Sequence, residues 1–169
     1  MGKKQVFYVT HKQDAWQKVP PERWAQAGFW RQISRVKDNW PTRGDILLIY
    51  KFPAKLPDAG IREIYRLDEV TSEMVREWGD RFGLPDPSRP PEFAWQVRQM
   101  TLVARLARPI TYKQMGTQPA VQQWGRWRAS FRGLINDCGL VPEPVWDALR
   151  VLIVERNPGA AGLLDRVGV

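Results

Sequence analysis

The chain reads as an α+β domain, a small mixed β-barrel of about five to six strands flanked by short α-helices. Three observations predict it. Short β-branched, aromatic or apolar runs recur from Val6 to Leu106, Pro and Gly punctuate them, and apolar residues at helical spacing occur only in brief pieces between and after the strands. Strands placed so irregularly do not build a doubly wound sheet.

Val6-Phe7-Tyr8-Val9-Thr10 forms the first strand, being β-branched and aromatic almost throughout. Pro20 and Pro21 suit the first turn of a short helix that carries Trp24 and stops at Gly28. Gly28-Phe29-Trp30 opens a second extended piece, Arg31 to Val36. Pro41 and Gly44 then make a tight turn, and the apolar run Ile46-Leu47-Leu48-Ile49 is too short for a helix and suits a strand covered on both faces. Trp40 and Arg43 stand before that strand; Tyr50, Lys51 and Phe52 follow it.

Lys55 to Gly60 is a turn, and Ile61 to Val70 is the returning strand of a hairpin. Thr71 or Ser72 caps a helix whose stripe is Met74, Val75 and Trp78, among Glu73, Glu77 and Asp80. Gly83 to Pro91 is an irregular, proline-rich connection. Phe93 to Leu106 fits a long strand, bent or bulged, better than a helix, because the residues following Arg108-Pro109-Ile110-Thr111 start a new polar-capped helical piece. Pro119 starts a short helix through Trp124. The last helix begins near Pro142-Glu143-Pro144, aligns Trp146, Leu149, Leu152 and Ile153, and ends at Asn157-Pro158-Gly159. Residues 1–158 make one domain and residues 159–169 a loosely held tail.

A chain of 169 residues is large enough to bury a core without disulfides. Its net charge of +8 favours polyanions, of which nucleic acid is the commonest. The excess sits at the two ends of the sequence: residues 1–40 carry eight basic and three acidic side chains, residues 91–169 ten and six, and the middle eight and nine. Cys138 is the single cysteine and His11 the single histidine, which rules out an intrachain disulfide and a thiolate metal cluster. No metal and no cofactor are expected. The apolar run after Lys3 and Lys4 ends too early for a signal peptide, Val6 breaks the myristoylation pattern, and no segment is long enough to span a membrane. A cytoplasmic protein without a membrane partner is the expectation.

Nine tryptophans are many for this length, and most must fill core volume. Trp78 and Trp146 lie on helical stripes and are read as core. Trp16, Trp30 and Trp40 stand in turns or at strand ends beside polar and basic residues, where a ring either packs or offers its face to a base. Tyr50 and Phe52 hold the same alternatives. Arg31, Arg35 and Lys37 form one basic cluster, and Arg126, Arg128 and Arg132 form another interleaved with Trp127 and Phe131. Each cluster is either a solvated surface or a set of phosphate contacts, which position a nucleic acid without reading it. Ser34, Asn39 and Ser130 can hydrogen-bond a base edge, although Asn39 before Trp40-Pro41 equally suits a turn.

In the order of its parts the sequence resembles the EVE domain, a member of the PUA-like superfamily related to YTH domains. The residues that carry the likeness are Phe7-Tyr8 and Trp16; Gly44-Asp45 before a strand ending in Tyr50; Gly60-Ile61-Arg62-Glu63-Ile64; Arg108-Pro109-Ile110-Thr111; and Arg128-Ala129-Ser130 with a tryptophan-bearing last helix. The resemblance implies a PUA-like pseudobarrel whose pocket beside the central strand holds a flipped base, modified or not, of DNA or RNA. The stretch Trp30 to Arg43 departs from the family pattern: it is shorter and lacks an Arg-Asn pair and an Ala-Arg-Asn triplet. That departure marks a different ligand or a subfamily with its own loop.

The expected function is therefore a non-catalytic nucleic-acid-binding domain. Its base pocket comprises Trp16, Trp30, Ser34, Asn39, Trp40, Tyr50 and Phe52, and its phosphate contacts Arg31, Arg35, Lys37, Arg126, Arg128 and Arg132. Two alternatives stand beside it. One is a PUA-like hydrolase or nuclease with His11 as general base, Lys12 or Tyr8 assisting, and Asp45 or Glu63 as carboxylate partner, although no nucleophile elbow or phosphate loop supports it. The other is a protein-interaction module built on exposed tryptophans.

Overall fold

Two strands from different parts of the sequence lie side by side at the heart of the computed structural model, which describes residues 4–12, 31–32, 41–52, 59–71, 95–125, 127 and 138–169. They are β1 (Val6–Lys12) and β3 (Ile46–Phe52), paired in parallel from Val6 opposite Ile46 to Lys12 opposite Phe52. β4 (Gly60–Thr71) returns antiparallel along β3, and β5 (Trp95–Ile110) runs antiparallel to β4. β2 (Arg31–Gln32) and β6 (Cys138–Leu140) close the two edges, giving the order β2-β5-β4-β3-β1-β6. Short helices complete an α+β architecture: α1 (Tyr112–Met115), α2 (Pro119–Gln123), α3 (Glu143–Arg156) and α4 (Ala161–Arg166).

The apolar run that predicts β3 is buried from end to end, because the sheet is covered on both faces. Alternation divides it. Ile46, Leu48 and Tyr50 join Val6, Tyr8, Ile61, Ile64, Ala104 and Leu106 in a core shared with the helices, while Leu47 and Ile49 join Phe7, Val9, Tyr65, Leu67 and Met100 on the second face. Each such aliphatic side chain contributes about 1.5–3 kcal/mol by its burial.

The turn before β3 is structural, as its composition suggests. Gly44 adopts φ +93°, a conformation costly for any side chain, and its N–H donates to the Leu67 carbonyl. The buried Asp45 carboxylate accepts from the Gln5 N–H (3.0 Å), the Thr42 N–H (2.7 Å) and the Thr42 hydroxyl (3.0 Å), tying the start of β1 to the start of β3.

Irregular register bends the sheet, as expected for β5. Arg62 is an extra residue in β4 between the pairs Ile49–Glu63 and Tyr50–Ile61, a bulge beside the end of β3. On the other side of β4 the ladder jumps from Glu63–Arg105 to Ile61–Ile110, so Arg108 and Pro109 lie within β5, and the helix expected after Thr111 begins at Tyr112. Pro109 sits where the ladder is interrupted and its missing N–H costs nothing. Gly60 permits this closure: a Cβ there would lie 2.4 Å from the Ile110 carbonyl oxygen.

Thr111 caps α1 through the Gln114 N–H, and the Gln114 side chain returns to the Thr111 N–H. α3 begins after Pro142 and ends at Asn157 as expected, burying Val145, Trp146, Leu149 and Ile153. Two expectations need correction, and one strand was not expected. Thr71 ends β4 instead of capping a helix. β6, too short to show a period and containing Gly139, was not legible. The last eleven residues are not loosely held: Pro158–Ala160 forms a 3-10 turn, α4 follows, and Leu164 is fully buried in the helix-side core. Arg150 fixes this end by bonding the Val169 carbonyl (3.2 Å) and the Asp165 carboxylate (2.5 Å). The expected helices at 20–27 and after Ser72, the turn at 55–58, the connection at 83–91 and the core role of Trp78 lie outside the described residues.

Candidate functional site

Of the side chains expected in a base pocket, Tyr50 is the one that is described. It ends the buried part of β3 with no accessible surface, facing the helix-side core. Burial lifts its phenol well above the ordinary range, and the nearby Tyr112 hydroxyl adds to the effect. A ring so enclosed has no face for a base to stack on while its neighbours hold their places. Phe52 and Arg31 are placed by their backbones alone, Phe52 opposite Lys12 and Arg31 opposite Gln96. Trp16, Trp30, Ser34, Arg35, Lys37, Asn39, Trp40, Arg126, Arg128, Ser130 and Arg132 lie outside the described residues.

Register separates the placed residues. Lys51, one residue before Phe52, pairs with Gly60 at the start of β4, whereas Arg31 joins the part of β5 that pairs with Val70 and Thr71 at its end. Phe52 and Arg31 thus stand at opposite ends of a twelve-residue strand. The turn at Gly44, bonded to Leu67, lies toward the Arg31 end.

The helix side of the sheet carries aromatic contacts that spacing alone did not reveal. Tyr8 meets Trp124 edge to face, with ring centroids 5.8 Å apart at 64°. Tyr112 stacks on Trp127 at 4.6 Å and 21°. Trp124 and Tyr112 are half-buried and Trp127 is buried. Lys113 is exposed beside them, and Lys12 and Lys51 occupy the strand ends. Tyr112 and Trp124 follow β5 in the chain, on α1 and at the end of α2.

A second polar feature occupies the other face. Glu63, 4% exposed, sits in β4 beside the cluster of Phe7, Val9, Leu47, Ile49, Tyr65, Leu67 and Met100. Arg105 Nε donates to its Oε1 at 2.9 Å, and the Tyr65 hydroxyl donates to its Oε2 at 3.2 Å. Burial, then the Glu63 carboxylate and this bond, push the Tyr65 phenol well above its ordinary range. Sequence reading considered Glu63 only as a partner for a general base. The missed signal was a pair of opposite charges inside two neighbouring apolar strands.

Asp45 and Glu63, the carboxylates a hydrolytic site would need, are both engaged in these structural contacts. Among the described residues no group of His, Cys, Asp and Glu is arranged to hold a metal, and no helix is long and apolar enough to cross a membrane.

No family model and no curated protein matches the chain. Solved structures do. A hypothetical protein from Leishmania major is similar with TM-score 0.58 and 14% identity, over 90% of this chain and 96% of that one. A protein from Pseudomonas syringae gives 0.59 and 13%, over 87% and 98%. The ASCH protein from Zymomonas mobilis gives 0.55 and 12%, over 89% and 96%. The chain therefore shares the fold of these proteins, an ASCH protein among them, and the comparison does not single out EVE.

Proposed function

We propose that the protein is a non-catalytic nucleic-acid-binding domain that receives a base against half-buried rings on the helix side of its sheet. The observation that supports it is the pair of ring contacts, Tyr8 with Trp124 and Tyr112 with Trp127. The buried Tyr8 and Trp127 hold the half-buried Trp124 and Tyr112 in place, and stacking on a ring so fixed contributes roughly 1–3 kcal/mol per base. A PUA-like fold and a net charge of +8 agree with a polyanionic partner.

In this reading Phe52, Trp16, Trp30, Ser34, Asn39 and Trp40 take part in binding the base, and Arg31, Arg35, Lys37, Arg126, Arg128 and Arg132 hold phosphates. Flipping a base out of a duplex costs a few kcal/mol and least where the strand is already single, so single-stranded RNA or DNA is the favoured partner, with modified bases as a specific case.

The test is a binding screen of modified and unmodified oligonucleotides at two salt concentrations. Phe52→Ala, Trp30→Ala and Trp40→Ala are expected to lose base-dependent affinity with the fold retained. Arg126→Gln and Arg128→Gln are expected to weaken binding to every sequence and each lower the log–log salt slope by about 0.7–0.9. Parent-like binding by all five variants overturns the reading.

A further inference from the structure

Arg105 stands out among the described cations because a buried group holds it in one orientation. Its partner Glu63 has a side chain 6% exposed, while the Arg105 side chain is 56% exposed. The carboxylate takes the guanidinium through Nε, and Tyr65 fixes the other carboxylate oxygen from below. An arginine anchored through Nε keeps the edge formed by its two Nη atoms for a second acceptor, and that flat fork matches the oxygens of a phosphate.

The strand register explains why the fork faces outward beside an apolar rim. Val103 is an extra residue in β5 between the pairs Ile64–Ala104 and Tyr65–Leu102, so Leu102 and Arg105, three apart in sequence, both fall opposite second-face residues of β4. Leu102 is 38% exposed. The second face is thus closed over Leu47 and Leu67 but open along β5, where a leucine lies next to an oriented arginine. Arg108, also exposed, follows on the same strand.

Packing alone gives no reason for a buried carboxylate here, since an apolar side chain of the same volume would avoid its desolvation. We propose that Glu63, Tyr65 and Arg105 form a phosphate-binding device in which Arg105 contacts a phosphodiester of the bound polynucleotide and Glu63 is the positioning residue. Leu102 beside it receives the apolar face of the adjoining sugar. The proposal rests on the nucleic-acid-binding reading above and adds a contact on the opposite face from the aromatic cluster.

Charge reversal of the usual expectation makes it testable. Glu63→Gln raises the net charge one unit above +8, so diffuse attraction alone predicts tighter binding to any polyanion; a positioning role predicts weaker binding. The measurement is fluorescence anisotropy with labelled single-stranded RNA and DNA over a salt series, with circular dichroism as the fold control. Arg105→Gln is expected to lose roughly tenfold affinity and to lower the salt slope by about 0.7–0.9. Arg105→Lys keeps the charge but not the fork and is expected to fall between parent and Arg105→Gln, with a slope close to the parent's; it carries the test should Glu63→Gln fail to fold. Parent-like affinity and slope in Arg105→Gln, tighter binding by a folded Glu63→Gln, or parent-like affinity in Arg105→Lys each overturn the device while leaving the aromatic site standing. A parent protein that binds no oligonucleotide overturns both.

Discussion

The two faces of the central sheet are built from the same strands and solve different problems. On the helix side every buried group contributed by β3 is apolar apart from the Tyr50 hydroxyl, and α3 and α4 cover it with Val145, Trp146, Leu149, Ile153 and Leu164. On the second face the same alternation brings Leu47 and Ile49 beside Glu63, a buried carboxylate facing a half-exposed arginine. One face is spent on stability and the other keeps a charge at some cost. The difference teaches where to look for function in a fold whose core is otherwise conventional.

The comparison is broken most forcefully by truncating the covered face. Leu48→Ala and Leu164→Ala are each expected to cost about 2–5 kcal/mol in urea unfolding, because each removes a fully buried leucine from a packed core. A near-zero cost at Leu164 would return residues 159–169 to the status of a loose tail.

A medium effect separates structure from function on the second face. Glu63→Ala leaves Arg105 without its anchor and the Tyr65 hydroxyl without its acceptor, for about 1–3 kcal/mol, the lower part of the range reflecting the solvent around Arg105. Replacing both partners, Glu63→Met with Arg105→Met, is expected to stay within about 1 kcal/mol of the parent. If the double variant is as unstable as Glu63→Ala, the pair is a structural necessity.

The smallest effect sharpens the same point through pH. Tyr65→Phe is expected to cost about 1 kcal/mol at neutral pH. Above about pH 10 the unfolded chain releases its phenolic protons, while Tyr50 and Tyr65, raised mainly by burial, retain theirs in the folded state. The folded protein then binds more protons than the unfolded one, so stability falls as pH rises through this range. Tyr65→Phe should shallow that fall, as followed by urea midpoints at successive alkaline pH values.

Much of this fold was legible because its signals are local. Ile46-Leu47-Leu48-Ile49 can only be a strand buried on both sides, Gly44-Asp45 can only be a turn before it, and Pro142 and Asn157 bracket a helix whose apolar stripe is plain. β6 was hidden because Cys138-Gly139-Leu140 has no period of its own and is a strand only through Phe7, Tyr8 and Val9. The aromatic cluster and the Glu63–Arg105 pair were hidden for a related reason. Each joins residues from distant strands, and each depends on extra residues in the ladders, Arg62 and Val103, that no pattern of twos or threes announces. Tyr50 was read as a ligand wall from its place at a strand end; its burial depends on core neighbours from β1, β4, β5 and the helices, which the spacing along β3 does not show.

The position of β1 has a consequence for how the chain is made. Its inner neighbour, β3, is complete by Phe52, but its outer neighbour is β6, so Phe7 waits for Leu140. During synthesis that edge, with Phe7, Tyr8 and Val9, is an uncapped strand until most of the chain has left the ribosome. Such an edge is a template for pairing with other chains until Leu140 covers it.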